Sequence, residues 1–528
     1  MGGVSSFRST VTRTAPGALS GLLAAFTALG VAELVAALGR PAAGPVTAVG
    51  GGVIDRTPAA VKDVAIRTFG ENDKLVLQLG ILALLALFAV LIGVLALRYR
   101  RLGAAGVLGF GALGAAAALS RPDSAGAGDA LPSLTGALAG AVVLGLLTGK
   151  ARSPRMPSGR GATGGRWSRR GFLVAATATA GAAAGAGTLG RALAGRRGQG
   201  AAVSRSSLVL PAAASPAPPV PAGSQVKVPG VSSFATSNRD FYRVDTALAV
   251  PKVDAGTWRL RIHGKGVDQP GTYTFEDLLA RPLIERDITL TCVSNEVGGP
   301  YVGNARWLGV PLAALLAECG VKPPSKGGGA DQLVARSVDG MTLGSPVEDL
   351  MDGRDAMLAV GMNGRPLPFD HGFPVRMVVP GLYGYVSACK WIADIELTTF
   401  DAYDSYWVAR NWARRAPVKT QSRIDTPKPF ARPSPGTVMV AGVAWAQHRG
   451  ISRVEVRIDE GPWQDADLAV QDTADTWRQW SFPWKAASGG HTITVRATDG
   501  PGQVQTEQRT RTIPDGASGW HSVFVTVL

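Results

Sequence analysis

Cys292 is the residue whose type and setting point most directly to chemistry. It closes an apolar β-run in which Ile288, Leu290 and Cys292 share one face, and it opens the loop Val293-Ser294-Asn295-Glu296-Val297-Gly298-Gly299-Pro300. A thiol at the end of a strand, facing an irregular glycine-rich loop, stands where a metal site is built. The alternative is a small core residue, since free cysteine is among the most buried types. Cys319 reads as core: Pro311 opens a short helix, Leu312, Leu315, Leu316 and Cys319 share one face of it, and Gly320 ends it. No CxxC spacing joins Cys292, Cys319 and Cys389, so neither a disulfide framework nor a zinc site is suggested.

The elements that carry such a thiol have room to form. The chain has 528 residues, against roughly 150 per domain. Its formal charge of +15 would admit a nucleic-acid partner, but much of the excess lies in short stretches beside apolar segments. That is the pattern of membrane topology, so the bilayer and not nucleic acid is the expected partner. Apolar stretches near the ~20 residues that cross a bilayer run over 18–38, 75–97, 102–119, 131–147 and 172–189. The third and fifth are rich in Ala and Gly, and a buried helix or cleaved signal region is the competing reading for them. Arg8 and Arg13 precede the first span and Arg98, Arg100 and Arg101 follow the second. Lys150, Arg152, Arg155, Arg160, Arg166, Arg169 and Arg170 lie between the fourth and fifth. These basic segments belong inside. The expected protein is therefore a multi-pass one of the cell membrane, with a cytoplasmic amino terminus and everything after the fifth span extracytoplasmic.

Within that frame, Ser168-Arg169-Arg170-Gly171-Phe172-Leu173 resembles a twin-arginine export signal placed internally at 168–173. Two arginines that merely obey the charge rule are the plain alternative. His263, His371, His448, His491 and His521 all lie outside the spans, so no haem held by two imidazoles in the bilayer is expected. Residues 1–197 thus read as the anchor. Residues 198–230, dominated by Ala, Pro, Ser and Gly, read as a semi-rigid linker. Over 231–415 short β-runs alternate with helical ones. Trp258, Leu260 and Ile262 share a strand face, and Thr274-Phe275-Glu276-Asp277 caps a helix carrying Leu278 and Leu279. From about Val418 the helical signals vanish, and 453–459 and 491–497 alternate strictly, so 416–528 reads as a β-sandwich.

The segment from Thr291 to Pro300 resembles the molybdenum-ligand loop of the sulfite oxidase family of molybdopterin enzymes, in which one cysteine thiolate binds the metal. The likeness runs over about 241–528 and implies an α+β sulfite-oxidase-type molybdopterin domain followed by an Ig-like dimerisation domain; the helical membrane bundle of about five spans, read from the apolar stretches, lies outside it and completes the expected multi-domain architecture. The stretch Met362-Asn363-Gly364-Arg365-Pro366-Leu367-Pro368-Phe369-Asp370-His371-Gly372-Phe373-Pro374-Val375-Arg376 resembles the family's pterin-binding segment and is the most specific motif in the chain. It implies cofactor contacts for His371 and Arg376, whose imidazole and guanidinium offer directional donors to phosphate or pterin oxygens. Ser387-Ala388-Cys389-Lys390-Trp391 resembles a lysine-tryptophan turn that holds the phosphate, which implicates Lys390; a solvated lysine is the alternative. Asn304-Ala305-Arg306-Trp307 resembles the segment after the ligand cysteine, where Arg306 would contact the cofactor or shape its pocket. Asn238-Arg239-Asp240-Phe241-Tyr242-Arg243 resembles an aromatic run approaching the cofactor, which places Phe241 and Tyr242 in the pocket; an aromatic core pair is the alternative. Asn295 joins the cofactor-binding set, and Cys292 is both metal ligand and catalytic residue. The implied cofactor is molybdenum-molybdopterin, with one pterin and an oxo or bis-oxo metal.

Departures from the family's pattern bear on the substrate. Where sulfite oxidases carry arginines after an asparagine, Asn295 is followed by Glu296 and Val297. Their arginine in the opening run corresponds to Val244, with Arg243 one register away on the opposite strand face. Trp412 stands near their catalytic tyrosine, with Tyr406 nearby. Sulfite is a dianion near neutral pH, and each missing charge-assisted hydrogen bond costs about 1.5–3 kcal/mol. The expected activity is therefore oxygen-atom transfer on a neutral S-oxide or N-oxide, small or protein-bound, similar to the periplasmic branch that reduces protein methionine sulfoxide. Sulfite oxidation is the alternative, and a non-catalytic membrane-tethered binding protein is the alternative of another class. Glu296 is a candidate catalytic proton donor to the departing oxygen, with a salt-bridged loop carboxylate as the plain reading. No haem or iron-sulfur ligand set is visible, so electrons are expected from an external quinone- or cytochrome-linked partner. A homodimer is implied by the resemblance alone.

Overall fold

A computed structural model of the chain describes residues 2–58, 61, 68–69, 73–151 and 169–528. They fall into two compact units, one up to Gly200 with Thr246–Ala249, the other Ala201–Asp245 with Val250–Leu528. Arg152, Arg155, Arg160, Arg166 and Ser168, and with Ser168 the start of the twin-arginine-like motif, lie outside the described residues.

In the first unit, five helical stretches are long and apolar enough to cross a membrane: Thr14–Leu38, Lys74–Arg98, Arg100–Leu119, Ala127–Gly149 and Gly171–Ser206. Each covers one of the expected spans, including the two rich in Ala and Gly. Small residues let the backbones touch: a Cβ added at Gly21 would lie 1.8 Å from the Ala89 carbonyl oxygen, and one at Gly136 2.4 Å from that of Ala28. Leu84, Leu87 and Leu91 are exposed on the second of these helices. At one end of the bundle Arg40 reaches Asp129 at 2.6 Å and Asp123 at 3.0 Å, and Arg121 meets Asp123 at 2.8 Å.

The second unit begins as a strap. The last helix runs to Ser206, and within the stretch read as a semi-rigid linker, 198–230, the chain then lies along the domains. Ala214 N–H donates to Leu283 O (2.8 Å) and Ser215 O accepts from Glu285 N–H (2.9 Å). Val470 N–H donates to Gly223 O (3.1 Å), and Val226 N–H donates to Gln479 Oε1 (2.6 Å). An extended Pro/Ala segment keeps most of its backbone groups free, and here it covers the open edge of a sheet.

That sheet is one of two in the α+β domain. β1 (Arg259–Gly264), β2 (Gly271–Thr274), β5 (Gln332–Ser337), β6 (Thr342–Pro346) and β10 (Ile392–Thr398) form a sheet in the order β2-β1-β10-β5-β6, with β1 parallel to β10. β3 (Ile284–Thr291), β4 (Val302–Pro311), β7 (Met357–Met362) and β8 (Arg365–Pro366) form the other, and β9 (Arg376–Val378) also pairs with β7. Between them Thr274 and Asp277 make the expected reciprocal cap on the helix Phe275–Leu279. The helix Leu312–Glu318 starts after Pro311 and buries Leu312, Leu315, Leu316 and Cys319; Gly320, at φ +85°, turns the chain out of it.

The carboxy-terminal part is a sandwich. One sheet orders β11 (Gln421–Thr426), β12 (Gly436–Trp445), β16 (Arg478–Ala486) and β15 (Asp467–Leu468). The other orders β14 (Gln464–Asp465), β13 (Ile451–Ile458), β17 (Gly489–Asp499) and β18 (His521–Val527). Alternating residues such as Val454 and Val456, Ile493 and Val495 fill the space between them. The sandwich also explains why β3 is buried on both faces. Ile288 and Leu290 face the core of the α+β domain. Thr289 and Thr291 face the sandwich, where Trp477 N–H donates to Thr289 Oγ1 (2.7 Å) and Gln447 Nε2 to Thr291 Oγ1 (2.9 Å).

Candidate active site

β4 presents alternate residues to the site. A Cβ at Gly303 would lie 2.9 Å from the Phe241 ring, and Trp307 meets the same ring edge-on at 5.7 Å. Phe241 is the hub: it stacks on Tyr242 at 5.2 Å and takes His371 edge-on at 5.6 Å. The intervening position, Arg306, faces the other way. It pairs with Asp287, its cross-strand partner on β3, at 2.6 Å and donates to Pro218 O. The expected role of Arg306 as a cofactor contact is therefore not what its geometry offers, because strand alternation assigns it to the opposite face.

His371 sits in a turn before β9, with Nε2 3.1 Å from Asn238 O. A carbonyl can only accept, so Nε2 carries the proton and Nδ1 is left as an acceptor. Burial, and then the neighbouring charges of Arg376 and Lys390, pull the imidazole down to about 3, which keeps it neutral at pH 7. Gly372, at φ +108°, is required here: a Cβ would come within 3.0 Å of the Arg376 Cβ and 3.1 Å of the Lys390 Cα. This glycine lets three of the expected residues converge.

Arg376 is 5% exposed. Its Nη1 donates to His371 O at 3.3 Å, its guanidinium lies 5.0 Å above the Trp307 ring, and its Nε has no partner among the described residues. Burial pulls it down to about 10, still charged at neutral pH. Lys390 is 2.7 Å from Asp245 and donates to Asp370 O at 3.1 Å. Arg243 shares Asp245 at 3.0 Å and lies 3.8 Å from the Asp370 carboxylate.

Cys292 is the first residue after β3 and is buried. Its N–H donates to Tyr301 O (2.9 Å) and its carbonyl accepts from Asn295 N–H (3.0 Å), while Asn295 Oδ1 accepts from Tyr301 N–H (2.8 Å) and closes the loop. Burial pushes the thiol up; hydrogen bonds from Ser294 and the charge of Lys390 act the other way. Burial, followed by Cys292 itself, also pushes the Tyr242 hydroxyl up, against Arg376. Cys292, Phe241, Tyr242, His371, Arg376 and Lys390 thus form one cluster. Asn295 works at least in part as the staple of the ligand loop. Glu296 is half-buried in that loop and its carbonyl accepts from Gly299 N–H (2.8 Å). Trp412 is buried between Tyr385 (5.5 Å) and Trp407 (5.9 Å).

Asn238, Gly372 and Asp245 emerge only from the geometry. Their motifs are visible in the sequence, but the aromatic and cationic residues beside them carry the sequence signal. A cavity of about 310 Å³ lined by Pro324, Asp331, Pro346, Glu348, Asp349 and Arg415 involves none of the cluster.

The cluster suits a pterin-held metal. It offers a buried thiol at Cys292, a buried guanidinium with a donor still lacking an acceptor, and a neutral imidazole with an acceptor nitrogen. No group of three or more His, Cys, Asp or Glu side chains able to hold a metal occurs among the described residues, so a metal here needs most of its ligands from its own organic group.

Residues 247–407 match the model of the oxidoreductase molybdopterin binding domain. The chain is 30% identical to sulfite oxidase of Gallus gallus over 318 residues, 52% of this chain and 68% of that protein. It is 29% identical to mitochondrial sulfite oxidase of Homo sapiens over 345 residues, 56% of this chain and 62% of that one. Among solved structures, the sulfane dehydrogenase SoxCD from Paracoccus pantotrophus aligns at 25% identity with a TM-score of 0.48, over 57% of this chain and 86% of that one. The chain spans 53% of the rat and 62% of the human and mouse sulfite oxidases. With the Cys292 loop, the His371–Arg376 turn and Lys390 all inside the matched region, the chain belongs to the sulfite oxidase family.

Proposed function

We propose that this protein is a membrane-anchored, extracytoplasmic, molybdenum cofactor-dependent oxidoreductase that transfers an oxygen atom to or from a neutral S-oxide or N-oxide type of substrate. The observation that carries the cofactor reading is the Arg376 guanidinium, buried against Trp307 and His371 with Nε unpartnered among the described residues. A buried charge so poorly satisfied costs free energy, and an anionic or carbonyl-rich ligand offsets that cost. When bound, molybdenum on a pterin dithiolene supplies two-electron chemistry at oxygen. The chain's own residues hold and surround it. Cys292 offers the thiolate, and Arg376 and Lys390 offer donors to pterin or phosphate oxygens. His371 offers an acceptor to a pterin N–H. Phe241 and Trp307 exclude water, and the Tyr242 hydroxyl, kept protonated by burial, is a hydrogen-bond donor. Glu296 is the candidate to carry a proton from solvent.

The substrate reading rests on charge. Arg306 is engaged by Asp287, and Arg243 is engaged by Asp245 and Asp370. A dianion would have to recruit cations already paired, at about 1.5–3 kcal/mol for each charge-assisted hydrogen bond lost. Sulfite is the second reading, favoured by the two sulfite oxidases at 29 and 30% identity. The anchor reading rests on the five apolar helices and the basic loops between them. The bilayer then holds the site near an external quinone- or cytochrome-linked partner, and the sandwich is the surface through which a homodimer would form.

The test is direct. Purified protein should carry molybdenum and pterin in equal amounts, and Cys292→Ser should lose the metal while keeping its fold. Reduction of a panel of S- and N-oxides, run beside sulfite with an artificial acceptor, decides the substrate. Turnover of sulfite alone would replace the neutral-substrate reading, and a folded wild-type protein without molybdenum would leave a tethered binding protein.

A further inference from the structure

The loop that presents Cys292 is gripped from outside its own domain. On the near side, Gln447 of the sandwich, 1% exposed, donates from Nε2 to Thr289 O and to Thr291 Oγ1, both at 2.9 Å. On the far side, Arg423 of β11 donates from Nη1 to Gly299 O at 2.9 Å. The same guanidinium is fixed by Asp425 at 2.7 Å through Nε and by Ser232 at 2.9 Å through Nη2. Next to it, the His521 ring of β18 lies so close to Gly298 that a Cβ there would fall 2.2 Å from Cδ2 and Nε2. The ring is oriented by Ile424 N–H, which donates to Nδ1 at 3.0 Å. Gly298 itself sits at φ +79°, so absence of a side chain serves both the backbone angle and the approach of the histidine.

We infer that Arg423, Gln447 and His521 are positioning residues for Cys292, and that the sandwich is a built part of the metal-ligand site as well as a separate domain. This rests on the reading of Cys292 as the ligand to a pterin-held metal. Three points spanning Thr289 to Gly299 add to the loop's own contacts, among them the Cys292–Tyr301 bond, the Asn295 staple and the turn at Gly299. A ligand atom displaced by a fraction of an ångström changes both metal geometry and reactivity, which is why supporting contacts around a first ligand matter.

Two readouts separate positioning from mere stability. The first is amide hydrogen exchange over 292–301 in full-length protein produced without molybdenum. The second is the Mo(V) electron paramagnetic resonance spectrum of the loaded protein. Arg423→Lys keeps a cation for Asp425 but cannot make the three-way fork. It should speed exchange in 292–301 at least tenfold with exchange elsewhere in β3 unchanged, shift or broaden the spectrum, and lower kcat more than it changes KM. Gly298→Ala should do the same, and Gly298→Ala/His521→Ala should recover part of the loss by removing the ring the new methyl meets. Arg478→Gln, in the same sandwich but bonded to Ala469 O and Ile451 O, should leave both readouts as in wild type. Should Arg423→Lys fail to fold, the Gly298 pair decides. Loop exchange and spectrum within twofold of wild type, or exchange raised evenly over the whole unit, would overturn the clamp. Wild-type protein lacking molybdenum would instead overturn the functional reading, and the exchange data would still decide the clamp.

Discussion

Arg376 shows what a single residue reveals about a ligand. Its guanidinium is buried and stacked on Trp307, with an acceptor at Nη1 but none at Nε among the described residues. Replacing it with an apolar side chain of similar reach removes a buried, under-bonded charge. Arg376→Met should therefore stabilise the cofactor-free protein by about 1–3 kcal/mol, a rise of roughly 2–4 °C in Tm per kcal/mol for a unit of this size. The same variant should retain far less molybdenum and pterin when produced with cofactor supply. Thermal melts of both forms check the opposite signs; a loss of stability in both would mean that the arginine is structural. Arg306 teaches the complementary lesson. Its type and its place after the ligand loop are legible in the sequence, but the face it takes depends on the register Asp287↔Arg306, and a one-residue shift in that register would have turned it inward.

At the scale of elements, what was legible is what local chemistry dictates. The Thr274–Asp277 cap, the helix carrying Cys319 and the alternation of the sandwich strands are written within a few residues of themselves, and the structure contains each. What was not legible depends on a distant partner. β3 reads as one apolar face of Ile288, Leu290 and Cys292, and nothing near it announces that Gln447 and Trp477 cover Thr289 and Thr291 on the other. The Pro/Ala stretch reads as a spacer because its composition says nothing of the sheet edge it covers at Leu283 and Glu285. β4 offers a test of how tightly one strand sets the pocket. Gly303 faces the Phe241 ring, and an added methyl would stand 2.9 Å from it. Gly303→Ala should cost about 1–3 kcal/mol as overpacking and push Phe241 toward Tyr242 and His371. Thermal denaturation measures the first effect, and a crystal structure or the ring-current shifts of Tyr242 the second. Unchanged stability would mean the aromatic cluster yields freely.

For the whole molecule, the balance of buried titratable groups sets a pH window. Burial holds His371 down to about 3 and His521 down to about 4, both from an ordinary 6.5. In the unfolded chain both take up protons as pH falls through 6.5; in the folded chain neither does until far lower. The unfolded state therefore binds more protons between these limits, and stability is fully present above 6.5 and is lost as pH falls. Asp472 acts oppositely: burial and Asp287 push it up to about 6 from 3.8, so its contribution grows as pH falls from 6. Asp349 and His448 are pushed up as well and act in the same sense, but all three are partly exposed, so solvent screening weakens them. His371 and His521 should win, with a net loss of roughly 1–2 kcal/mol per pH unit below 6.5. The melting temperature of the cofactor-free protein should thus be flat from pH 8 to 7 and fall steadily toward pH 5. His521→Gln keeps the size and a polar group near Ile424 N–H but cannot take up a proton, so it should make that fall shallower even where it lowers Tm at pH 8. Equal slopes for variant and wild type would show that the acid sensitivity arises elsewhere, and that the ring against Gly298 is felt by the fold through its shape alone.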